Sequence, residues 1–386
     1  MRNHLTDEKL ISKSSYSTKK NGYNLSKEES RQLEKALQDL ATGSFEEKWA
    51  TAKSLVKCGN VVIEPLQGVI LDEDADLEHR CFALRVLSQL KNPRIVLIAT
   101  QLLSFTQEEE LISLATQTLA VQGENAIEFL ADLLDNSQYR LLACQALAQI
   151  PNQGVVAPLL SVVDDKNYQV RKIAIAVLRN FHNPQVIQAL IKGLQDHHPD
   201  IRKESLIGLG LKVKHDREVP LIAVIAPLLG DLNITVAQQA AMSLSRCQHP
   251  LAVVALEKNL QSDLILIELK LTMIRVLGWI STAESVACLG KFINTDDAVL
   301  GSEVVKVLGR VNKSDSLKEI AIDILNNFYE SRSLGDIAPE ILQGICYSWT
   351  QLGAITAIPL LKEIEASKEQ KVRFHAQSAL ASLLKN

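Results

Sequence analysis

Aromatic side chains are scarce in this chain of 386 residues: Trp, Tyr and Phe together make up 4% of it, whereas hydrophobic residues as a whole reach 47%. A core must therefore be packed from Leu, Ile, Val and Ala, which suits many short helices in close contact and predicts an all-α protein. No excess of one charge is present either. With 41 basic and 45 acidic side chains the formal charge is −4, which removes any global attraction to nucleic acid or anionic lipid and leaves only local patches. The six cysteines are far apart and none forms C-x-x-C, so they read as reduced core thiols of a cytosolic protein. Long apolar runs are missing as well: the longest, from 219 to 229, contains Pro220 and Pro227 and is too short to cross a bilayer. The start, MRNHLTDEKLISKSSYSTKK, has no stretch of signal-peptide length. These absences predict a cytoplasmic protein without membrane insertion. Nothing matches a P-loop, a dinucleotide fingerprint or a nucleophile elbow.

What the chain does have is a recurring unit. It is clearest from Val155 to Gly210, where VVAPLLSVVDDKNYQVRKIAIAVLRNFHNPQ is followed by VIQALIKGLQDHHPDIRKESLIGLGLK. Each copy carries an apolar residue and Arg (Val170-Arg171, Ile201-Arg202) seven places before a leucine (Leu178, Leu209), and the two leucines are 31 residues apart. The same register gives further anchors at Leu55, Leu87, Leu119, Leu147, Leu244, Leu277, Leu308, Trp349 and Leu380. A period of this length marks a repeat protein, so chain length here counts repeats rather than domains.

Each unit reads as a first helix, a short polar loop and a second helix ending in the anchor. Residues 1–25 are rich in Ser, Lys, Asn and Thr without helical periodicity, which predicts a flexible arm. The array begins at Ser26, where Ser26-Lys27-Glu28-Glu29 has the spacing of a capping box. Its first helix should run to about Ala41. First helices should also start just after Asn92-Pro93, Asn183-Pro184 and His249-Pro250, because a Pro in the first turn sacrifices no helical hydrogen bond. The longest interval, 41 residues from Leu308 to Trp349, predicts an elongated loop near Glu330-Ser331-Arg332-Ser333.

A unit near 31 residues, with an apolar-Arg pair after a polar loop, small residues through the second helix (Ala143, Ala146, Ala174, Ala176) and then Leu, or Leu-Gly at 209–210 and 308–309, resembles the HEAT-like repeats. More narrowly it is similar to the subtype named after the phycobilisome lyases. The resemblance covers residues 26–386 and implies one right-handed α-solenoid of about eleven HEAT-like hairpins. It further implies that the cation of the pair (Lys48, Arg80, Arg140, Arg171, Arg202, Lys270, Arg373) is structural, held by acidic groups of the adjoining loop. Ile112, Ala237, Gly301 and Leu342 depart from that pattern.

Chemical centres are hard to assemble. Asp196-His197-His198-Pro199-Asp200 places two His and two Asp in one loop, but neighbours in sequence rarely close a tetrahedral metal site, so a polar turn is expected and no metal. The His-Glu pairs through which deoxyhypusine hydroxylases, another HEAT-like family, hold iron do not occur; Glu78-His79 has the reverse order. No catalytic residue and no cofactor are assigned. Charge is uneven: residues 166–217 hold ten Lys/Arg against four Asp/Glu, and residues 44–135 seven against fifteen. Taking the positions one and eight places after Arg171 as outward-facing gives Lys172 and Arg179, joined by Lys203 from the next unit. With Tyr347 and Trp349 from the late aromatic cluster, they form the expected concave partner-binding set. The expected function is a protein-binding scaffold, and the resemblance suggests a phycobiliprotein or antenna assembly factor as partner. A phycobilin lyase is the alternative, and a nucleic-acid-binding protein a distant one.

Overall fold

The computed structural model describes residues 26–213, 218–295 and 297–385; the expected flexible arm, 1–25, lies outside them. All regular structure among the described residues is helical, and no helix there is long and apolar enough to cross a membrane. The chain divides into two compact units, Met1–Asn152 and Gln153–Asn386.

In the first unit the helices are α1 (Lys27–Thr42), α2 (Phe45–Lys57), α3 (Ile63–Leu71), α4 (Leu77–Ser88), α5 (Pro93–Phe105), α6 (Glu109–Gln122), α7 (Ile127–Leu133) and α8 (Arg140–Leu147). They pair as hairpins, and the second helices α2, α4, α6 and α8 pack in succession. The capping box at Ser26 forms as expected, with the Glu29 amide donating to Ser26 Oγ and the Ser26 amide to the Glu29 carboxylate. Ser44 and Glu47 repeat it at the start of α2. Gly59 and Gly123, at φ +69° and +66° in a region that excludes most side chains, open single 3-10 turns that lead into α3 and α7.

The second unit continues with α9 (Val156–Leu160), α10 (Tyr168–Leu178), α11 (Pro184–Gly193), α12 (Pro199–Lys212), α13 (Glu218–Ile225), α14 (Ile234–Leu244), α15 (Pro250–Leu260), α16 (Ile267–Ile280), α17 (Ala283–Phe292), α18 (Ala298–Leu308), α19 (Asp315–Glu330), α20 (Pro339–Leu352), α21 (Ile358–Glu365) and α22 (Gln370–Leu383). First helices begin at Pro93, Pro184 and Pro250, as the sequence predicts, each capped by the side chain of the preceding Asn or His. The long interval before Trp349 comes from the sixteen-residue α19 and from the connector 331–338, which contains one 3-10 turn.

The anchor ladder is the core. Leu55, Leu87, Leu119, Leu147, Leu178, Leu209, Leu244, Leu277, Leu308 and Trp349 are all fully buried, and Leu380 nearly so. Full burial of a leucine stabilises by roughly 1.5–3 kcal/mol, so repetition of this one position sets the register. Between neighbouring second helices the chain uses small residues. Ser243 Oγ donates to the Leu206 carbonyl at 2.8 Å and Ser348 Oγ to the Val305 carbonyl at 2.9 Å, with Gly210 and Gly309 facing the two serines. A Cβ built on Gly309 would lie 2.6 Å from Ser348 Cβ, inside van der Waals contact.

The candidate protein-binding face

Each expected contact residue has a definite place. Arg171 and Arg202 act as the resemblance implies: each guanidinium forks onto a carboxylate of the next repeat, Asp196 at 2.8 and 2.9 Å and Asp231 at 2.7 and 2.8 Å. Their remaining nitrogens donate to the carbonyls of Asp165 and Lys166, and of Asp196 and His197. A planar fork makes this geometry where an ammonium could not. Burial pushes the Asp196 carboxyl up, but the Arg171 fork and the His198 amide outweigh it and hold the group below its usual value. Asp231 is held down in the same way by Arg202 and the Asn233 amide.

The two-His loop is absorbed by the same architecture. Asp196 is committed to Arg171, His198 Nδ1 accepts from the Asp200 amide at 3.3 Å, and the His198 ring stacks on Tyr168 at 4.3 Å. Among the described residues no His, Cys, Asp and Glu cluster has metal-holding geometry.

Among the described residues of the basic stretch, most cations are already paired rather than left as the free positive patch that composition suggests. Lys172 Nζ lies 2.6 Å from Asp200, Arg179 pairs with Glu204, and Lys192 Nζ lies 2.6 Å from Asp164. The hydrogen bond from Lys172 holds the Asp200 carboxyl below its ordinary value. Lys212 is buried, donating to the carbonyls of Arg179 and Phe181 at 3.1 and 2.7 Å, where a cation meets the negative end of α10. Lys203 is half-buried and makes no close ion pair among the described residues, though its charge helps to hold down the Asp200 carboxyl.

Helical geometry explains the discrepancy. At 100° per residue, positions one and eight after the cation lie on the flank that faces the next repeat, whereas five and nine lie at the centre of the exposed face. Position eight is thus closed off by packing, at Gly210 against Ser243, Gly278 against Val307 and Gly309 against Ser348. Positions five and nine carry Met242, Tyr347 and Trp279, which are 43%, 54% and 56% exposed. Of the two aromatic candidates Tyr347 therefore stays on the surface. Trp349 is withdrawn from the contact set: it is 0% exposed and fills a ladder position, its ring edge-on to Tyr329 at 5.9 Å. Trp279, Arg246 and Arg310 at position nine and Met242 and Lys306 at position five fall outside the expected set, because that set takes positions one and eight as the outward ones. A second exposed group, Phe45 and Trp49 packed on Phe82, lies on α2 and α4 of the first unit, with Arg85 over the Trp49 ring.

Comparison with known proteins agrees with this geometry. Residues 127–210 match the family model described as HEAT repeats. Among solved structures, Kap121p bound to Nup53p is similar at a TM-score of 0.62, with 14% identity over 93% of this chain and 45% of that one. Kap95p in its complex with RanGDP follows at 0.51, with 12% identity over 92% of this chain and 60% of that one. This chain thus spans about half the length of these karyopherins. At such identities the likeness shows the fold: an all-α array of HEAT-type hairpins. No curated protein sequence matches the chain.

Proposed function

We propose that the chain is a non-catalytic scaffold that binds another protein on the exposed face of its second helices. The observation that carries this reading is the row of large apolar side chains, Met242, Trp279 and Tyr347, left in water by hairpins whose core is otherwise closed. Trp and Tyr dominate the energetics of protein interfaces because they bury much area at little entropic cost. The fold's relatives support it: one of the similar structures is Kap121p bound to Nup53p, and another is of Kap95p binding to RanGDP. Replacing Trp279 and Tyr347 together by Ala should weaken capture of an affinity-purified partner by about tenfold or more without changing thermal unfolding. Equal capture by the double variant would move the interface off this face.

Finer elements of the same reading are that residues 26–386 work as one cytoplasmic array preceded by the arm 1–25, and that Lys203 joins Tyr347 in the contact surface. Lys172 and Arg179 support that surface from the flank, by joining neighbouring repeats through their pairs with Asp200 and Glu204. The likeness of the repeat to the phycobilisome-lyase type is the support for a phycobiliprotein or antenna assembly factor as partner. Co-expression with an apo-phycobiliprotein and bilin tests this point: a covalent chromophore that depends on this chain would replace the scaffold reading with a bilin lyase.

A further inference from the structure

Position nine of three successive repeats holds Arg246, Trp279 and Arg310, and position five of the last of these holds Lys306. All four are exposed. Helices α14, α16 and α18 pack side by side, so the indole sits in the middle row with a cation on the helix to either side. Elsewhere in the second unit every described arginine near the second helices from α10 to α16 is paired with a carboxylate: Arg171, Arg179 and Arg202 with the next repeat, as is Lys172, and Arg275 with Glu303 at 2.6 Å. For Arg246, Lys306 and Arg310 no acidic partner is found among the described residues. A cation near a helix C-terminus is favoured by the helix dipole alone, which accounts for arginines at 246 and 310 but not for a tryptophan left in water between them.

We propose that this face is the docking site for an acidic segment of a partner protein, which packs an apolar side chain on Trp279 and pairs its carboxylates with Arg246, Lys306 and Arg310. The proposal rests on the protein-binding reading and gives it a partner chemistry. Trp and Arg are the residue types most enriched where binding energy concentrates, and unpaired cations around an apolar centre select a complementary charge. A nucleic-acid backbone fits less well. Glu268 and Glu340 are exposed on α16 and α20 of the same row of helices, and a phosphate chain tracking along that row would meet their repulsion. A peptide need touch only the three cations and the indole.

The test uses the full chain and a short fluorescent peptide of Asp and Glu around a central Phe, read by anisotropy at moderate salt. The controls are the same peptide with Asn and Gln in place of the acids, and a thymidine oligonucleotide. The acidic peptide should bind better than its amide counterpart by about tenfold or more. Trp279→Ala, and separately Arg246→Glu with Arg310→Glu, should each remove about tenfold or more of that binding, while Lys166→Glu, at an exposed cation outside the patch, changes it little. Circular dichroism and thermal unfolding of each variant separate lost binding from lost fold. Equal binding of acidic and amide peptides, binding indifferent to both patch variants, or preference for the oligonucleotide would each overturn the proposal. A natural protein partner retained in full by the patch variants would also overturn it while leaving the scaffold reading intact. If the peptide result holds and no protein partner is captured, the scaffold reading falls and the acidic-ligand site stands.

Discussion

Charge in this protein is organised residue by residue across the joints between repeats. The Arg171–Asp196 and Arg202–Asp231 forks are mostly buried, with side-chain exposures between 6% and 16%. A mostly buried ion pair contributes less than its Coulomb energy, because both groups have left water, yet removing one partner strands the other. Asp196→Asn should therefore lower stability by about 2–4 kcal/mol, measured by urea unfolding. The pH dependence has a definite sign. Asp196 and Asp231 are held below their ordinary values, so their contribution is complete above the unfolded-state value of about 4 and is lost as pH falls through the lower folded-state values. Acid titration should show a stability loss below about pH 4 that is smaller in Asp196→Asn. A parallel decline in both proteins would mean that the fork does not govern acid sensitivity. Composition could not reveal this: ten basic residues in 166–217 read as a patch, and only the repeat-to-repeat distances show how many are already paired.

At the scale of the helix, the sequence carried most of what the structure contains. The capping box at Ser26, the Asn-Pro and His-Pro starts and all eleven anchors follow from local rules of capping and periodicity, whereas the long interval before Trp349 suggests only a loop and is largely taken up by the sixteen-residue α19. What failed was angular. An error of one residue moves a side chain by 100° around a helix, which leaves a core assignment nearly intact and exchanges a packed flank for the centre of an open face. Thus the sequence offers Trp349 as both anchor and surface although one position cannot be both, and leaves Trp279 outside the expected contact set. Two variants separate the roles of the positions. Leu178→Ala or Leu209→Ala should cost about 2–5 kcal/mol through a core cavity. Gly309→Ala must displace Ser348, breaking its bond to the Val305 carbonyl at 2.9 Å, and should lower the melting temperature by several degrees, on the order of 1–3 kcal/mol for overpacking. Gly68→Ala, with nothing within 4 Å of the added carbon, should not destabilise.

For the whole molecule, the physical account is one of a closed core and an open face. Repetition of a single hairpin buries each ladder residue against its neighbours and leaves the centre of every second helix available, so function is written in the residues that depart from the repeat rather than in those that maintain it. Fold class was legible because periodicity survives along the chain; the binding face was only partly legible, because exposure depends on helix rotation and on which charges the adjoining repeat has already neutralised. The most direct measurement is site-specific photo-crosslinking in cell extract, with a photoreactive phenylalanine analogue placed at position 279 on α16 or at position 254 on α15, where Trp279 and Val254 are 56% and 57% exposed. Equal exposure makes the two positions matched probes of opposite assignments. A discrete protein adduct from 279 and none from 254 is the predicted result; adducts from 254 alone would contradict the assignment of the second-helix face as the site of binding.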